Sequence, residues 1–81
     1  MKVKDFYARF DPINSDCSLI VEDVTGQRWT LVERLDDGPY RINIYLDWAD
    51  DLMDRIVQQI VVKNGEITLR LKPLRRRRIT E

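Results

Sequence analysis

The chain has 81 residues, 43% of them hydrophobic and 35% charged, with fourteen cations against fourteen carboxylates, one cysteine and no histidine. Such a length makes one domain with a thin core, and the composition is that of a folded chain rather than a disordered one. The lone Cys17 excludes an internal disulfide and a multi-cysteine zinc site, and the absence of histidine removes the commonest catalytic base and metal ligand.

No apolar run exceeds three residues, so neither a signal peptide nor a membrane span is expected, and the expected compartment is the cytoplasm. The zero net charge hides a division. Met1 to Asp54 carries six cations and twelve carboxylates, whereas Arg55 to Glu81 carries eight cations and two carboxylates. An acidic body followed by a basic tail is the simplest description.

In chain order, Lys2 to Phe10 alternates, which predicts a first strand with Phe6, Ala8 and Phe10 turned to the core. Asp11-Pro12 and Asn14-Ser15-Asp16 are turn chemistry. Ser18 to Val24 and Arg28 to Leu35 predict a hairpin around Gly26, which takes the positive φ. After the turn at Asp36-Asp37-Gly38-Pro39, Tyr40 to Leu46 predicts a further strand with Ile42, Ile44 and Leu46 inward. Short turns between these strands imply an antiparallel meander.

Asp47 to Ile60 keeps a helical beat: Trp48, Leu52, Ile56 and Ile60 recur every fourth position, beside Ala49 and Met53. Asp47 reads as the N-cap and Asp50 as the third helical residue, an acidic variant of the capping box. Asn64-Gly65 between Ile60–Lys63 and Glu66–Leu71 is the strongest hairpin signal in the chain. Pro73 closes the last strand, and residues 74–81 read as a flexible basic tail after a single domain over 1–73. The fold class is therefore α+β: an antiparallel sheet of five or six strands with one helix, about 47–60, on one face.

Motifs for catalysis are missing. There is no Gly-x-Ser-x-Gly, no phosphate-binding Gly-Lys-Ser/Thr and no dinucleotide-binding glycine pattern. Cys17 stands beside Asp16, which disfavours a thiolate, so it reads as a half-buried packing residue. Asp36-Asp37 and Asp50-Asp51 are paired carboxylates of the kind common in turns and helix starts. No enzyme, cofactor or metal is expected. Among the aromatics, Trp48 falls on the apolar stripe, and Tyr45 is the candidate for an exposed ring.

Two charged features remain. Asp47, Asp50, Asp51 and Asp54 share the face opposite the apolar stripe, where the first of them also complement the helix dipole. Such a row suits a basic protein surface, including one that normally meets nucleic-acid phosphates. Arg75, Arg76, Arg77 and Arg78, extended back by Lys72 and Arg70, suit phosphate in a salt-dependent, sequence-independent way.

Residues 52–72, with Leu52-Met53-Asp54-Arg55-Ile56-Val57 leading into the Asn64-Gly65 hairpin, resemble the C-terminal helix-plus-hairpin of large serine recombinases. The family's catalytic serine domain and zinc-ribbon cysteines have no counterpart here, so no site residue carries over. The resemblance implies a phage or mobile-element setting. The expected function is a small accessory or inhibitory protein that binds a basic protein through the four aspartates. The alternative is nucleic-acid binding through the arginine run. Exposed sheet edges also make a homodimer an expectation.

Overall fold

The computed structural model describes residues 1–11, 16–35, 40–43 and 47–73. Its first element is a helix, α1 (Val3–Arg9), not the strand that the alternation suggested. Val3, Phe6, Tyr7 and Phe10 are also spaced i, i+3, i+4, i+7, and that helical spacing prevails. Val3 is fully buried, Phe6, Tyr7 and Phe10 are half-buried, and Ala8, expected inside, is exposed. The Asp5 carboxylate accepts the Lys2 backbone N–H at 2.9 Å, which secures the first turn. The Phe6 and Phe10 rings stack one turn apart with centroids 6.2 Å apart.

β1 (Ser18–Glu22) and β2 (Arg28–Glu33) form the expected hairpin, each ending two residues before the sequence reading placed it. Its turn is built around Asp23, whose carboxylate accepts the Thr25 and Gln27 backbone N–H groups at 2.9 and 3.1 Å and the Thr25 hydroxyl at 2.6 Å. Gly26 takes φ +91°, as its position demanded. An irregularity between Leu19 and Ile20 shifts the register, so that Leu31 and Val32 are both buried where strict alternation would expose one. β3 is only Arg41–Ile42, far shorter than the expected Tyr40–Leu46, and Ile42 is exposed rather than inward. At Asn43 the backbone N–H still donates to the Leu31 carbonyl at 2.8 Å, and the side-chain Nδ2–H donates to the Thr30 carbonyl at 2.9 Å. Ile44, Tyr45 and Leu46 lie outside the described residues, as do Asp36 and Asp37.

The second helix, α2 (Asp47–Met53), is half the expected length and begins with Asp47 as a helical residue rather than as its cap. Arg55 N–H closes it on the Leu52 carbonyl at 3.0 Å. Beyond that point Ile56-Val57 and Ile60-Val61-Val62 are β-branched, and pairing in the sheet outweighs their four-residue recurrence. They form β4 (Val57–Lys63), which turns through Asn64 (φ 45°) and Gly65 (φ 80°) into β5 (Glu66–Leu71), the hairpin expected there.

β5 then lies beside β1 in parallel, Ser18 opposite Glu66 through Glu22 opposite Arg70. The sheet is thus mixed rather than antiparallel, with strand order β3-β2-β1-β5-β4, and the described residues hold two helices instead of one. The connection from the meander must cross before the chain can return beside β1 in the same direction, and α2 lies within that crossing. The start of the chain also joins the sheet: Lys2 bridges Ile56, the Val57 N–H donates to the Met1 carbonyl at 2.8 Å, and the Val3 N–H donates to the Arg55 carbonyl at 3.0 Å.

Both helices pack on one face of the sheet. Val3, Ala49 and Leu52 meet Leu19, Val21, Leu31, Val32, Leu69 and Leu71 in a single core, with Trp29, Trp48 and Val57 at its margin. Among the described residues no helix is long and apolar enough to cross a membrane. Leu69 is fully buried on a central strand, whereas Val24 in the hairpin turn is 61% exposed. Leu69→Ala should therefore lower the unfolding free energy by about 2–5 kcal/mol, while Val24→Ala should change it by no more than about 0.5 kcal/mol. Urea titration monitored by tryptophan fluorescence measures both.

Candidate functional site

Ala49, fully buried, and Leu52, 3% exposed, pin α2 to the sheet, which leaves Asp47, Asp50 and Asp51 on the outward side. The fourth aspartate of the predicted face does not join them. The helix has ended before Asp54, and its carboxylate meets Lys4 of α1 at 3.3 Å. The acidic face is therefore three residues, on a short but anchored helix.

Other described carboxylates are committed elsewhere. Asp5 and Asp23 accept backbone N–H groups. Asp16 pairs with Arg34 at 2.8 Å, Glu33 with Arg41 at 3.7 Å, Glu66 with Arg28 at 3.5 Å and Glu22 with Arg70 at 3.7 Å. Asp11 is also engaged. Asp47, Asp50 and Asp51 have no ion pair or side-chain hydrogen bond among the described residues.

The basic candidates are placed differently. Arg70 stands on β5 with its side chain on the sheet face away from the helices, between Glu22 and Gln59, whose Oε1 it reaches at 3.3 Å. A carboxylate already beside that guanidinium weakens its pull on a phosphate. Lys72 is exposed just past β5, where its backbone N–H donates to the Ile56 carbonyl at 2.9 Å. Arg75, Arg76, Arg77 and Arg78 lie outside the described residues.

That helix-free face was not singled out from the sequence. Register alignment lays Arg28, Glu22, Arg70 and Gln59 in one row across four strands, and Thr30, Ile20, Thr68 and Val61 in the next. Arg28 spans β1 to bring Nη2 within 3.5 Å of both Glu66 and Thr68 on β5. Ile20 and Thr68 on this face are only 6% and 8% exposed though no helix among the described residues lies over them. The result is a shallow concavity of about 510 Å³ lined by Glu22, Arg28, Lys63, Thr68 and Arg70 among others. Across it Arg28 pairs with Glu66 and Arg70 with Glu22. The alternation of Arg28, Thr30 and of Glu66, Thr68, Arg70 carried the signal, but only strand order reveals that the rows are complementary.

Cys17 is half-buried, and among the described residues no group of three or more histidines, cysteines and carboxylates is placed to hold a metal. Tyr40 donates its hydroxyl to Asp16 at 3.4 Å, and partial burial, then the neighbouring Asp16 charge, raises its pKa. No protein-family model, no curated protein and no solved structure matches the chain.

Asp23 has a depressed pKa, chiefly through the Thr25 hydroxyl, against a smaller opposing desolvation and with help from the Gln27 and Thr25 N–H groups. A carboxyl with a lowered folded-state pKa stabilises the fold above its unfolded value, about 3.9, and loses that contribution as pH falls through the folded value. Asp23→Asn should thus be less stable than wild type at pH 7. The gap should close in the acid range where the wild-type carboxyl protonates, as denaturant titrations at stepped pH will show.

Proposed function

We propose that the protein is a non-enzymatic accessory or inhibitory factor that binds a basic protein surface through Asp47, Asp50 and Asp51. The observation that supports this reading is the one just described: these three carboxylates lack partners among the described residues, while the other described carboxylates are engaged. They project from a helix whose opposite side is held by Ala49 and Leu52, so little backbone ordering opposes docking. A like-signed row of this kind raises the encounter rate with a cationic partner and makes binding fall with salt. A nucleic-acid-binding protein, whose basic surface ordinarily meets phosphate, has the complementary chemistry. Asp54, tied to Lys4, is left out of the contact.

The test is affinity capture from cells that carry the gene, followed by salt-titrated binding to the captured protein. Asp50→Lys with Asp51→Lys should weaken that binding by at least about tenfold, equivalent to about 1.4 kcal/mol, with the far-ultraviolet spectrum unchanged. Undiminished capture by the double variant would refute the acidic-face reading. Nucleic-acid binding through Arg70, Lys72 and Arg75 to Arg78 is the competing outcome. It would appear as a salt-dependent gel shift that disappears on removal of residues 74–81 and is untouched by the aspartate changes.

A further inference from the structure

We propose that β4 is the seam of a homodimer, in which two copies pair antiparallel through Gln59–Lys63 about a two-fold axis at Val61. The two five-stranded sheets then join into one of ten strands.

β4 is an edge strand, and among the described residues only Met1–Val3 pairs with its outer side, ending at Val57. From Gln58 onward that side carries backbone groups with no partner among the described residues. The opposite edge, β3, is protected by being two residues long and by the Arg41–Glu33 ion pair. β4 has neither protection: it runs seven residues without proline, and its one charge, Lys63, stands at the end.

The hairpin dictates which groups are open. In a two-residue turn the flanking pair, Lys63 and Glu66, is hydrogen-bonded, so Val61 is bonded to Thr68 and the intervening Val62 and Ile60 turn both N–H and C=O outward. Those same two residues hold their side chains on the helix-bearing face beyond the reach of either helix, 40% exposed at Ile60 and 68% at Val62. Unpaired backbone and uncovered apolar side chains thus coincide at the same positions.

A second copy satisfies both. With the axis at Val61, Ile60 pairs with the other copy's Val62 and the reverse, and each pair exchanges two backbone hydrogen bonds. Val61 meets its symmetry mate on the other face, and Gln59 faces Lys63 with no like charges opposed. The two Lys63 residues stand four positions apart along the strands, about 14 Å, beyond the Debye length of about 8 Å at physiological salt. Neighbouring registers fail. An axis at Ile60 drives the incoming strand into Met1 at Val57, and an axis at Val62 brings the two Lys63 within about 7 Å of each other and sets Ile60 against the Asn64 turn. The pairing is self-complementary, as a two-fold contact requires.

Sedimentation velocity on the full chain should show the mass double with concentration and stop there. Val62→Lys, at a site exposed enough to leave the monomer's circular dichroism unchanged, should weaken the dimer at least tenfold. In a Cys17→Ser background, Val61→Cys should cross-link to a covalent dimer on mild oxidation, because the two positions face each other as a non-hydrogen-bonded pair about 4.5 Å apart. Gln59→Cys, about 14 Å from its mate, should not. A chain that stays monomeric at millimolar concentration, a Val62→Lys variant that dimerises like wild type, or equal cross-linking of both cysteine variants would overturn the proposal. None of these outcomes touches the reading of α2.

Discussion

Shortage of cover governs this structure. Among the described residues, two helices of seven residues, each about 10.5 Å long, shield a sheet of five strands that is about 19 Å across. They close over β1, β2 and β5, where Leu19, Val21, Leu31 and Leu69 are fully buried. Cover ends before β4, so Ile60 and Val62 stay in contact with water on the same face. Among the described residues no helix lies on the other face, which carries Glu22, Arg28, Thr68 and Arg70. Arg28 reaches across β1 there to Glu66 and Thr68 on β5.

The legible parts of the fold were those encoded within a few residues. Asn64-Gly65 and Gly26 marked their hairpins because only residues tolerant of positive φ fit those corners. Lys2 to Phe10 was ambiguous in principle, since Val3, Phe6, Tyr7 and Phe10 satisfy a helical period while the same stretch alternates. Its fate was decided by Leu52, Ala49 and the start of β4, all distant in sequence. The end of α2 was misplaced for a related reason: Ile56 and Ile60 extend the beat of Trp48 and Leu52, but β-branched residues beside an Asn-Gly turn gain more from a ladder. The parallel contact of β1 with β5 could not be read at all, because no local pattern names a strand's neighbour.

The candidate site shows the same division. That the first turn of α2 is acidic was plain from the sequence, and the three exposed aspartates stand where the pattern put them. Asp54 was assigned with them by helical geometry that the chain had already abandoned, and Lys4, fifty positions earlier, now holds it. Arg70 with Glu22 joins the basic half of the chain to its acidic half across the sheet, so the charge division seen along the sequence is partly cancelled in three dimensions. What remains uncancelled on α2 is therefore more informative than the gross imbalance was.

The parallel seam has a further consequence during synthesis. β1 sits in the middle of the sheet, yet Ser18 meets Glu66 only after 48 more residues have been made. At roughly 5–20 residues per second the finished β1–β2 hairpin waits about 2–8 s on or near the ribosome with one side of Leu19, Ile20 and Val21 unpaired. That interval is the chain's period of greatest exposure to misassociation, and it ends only when the last strand emerges and closes the sheet.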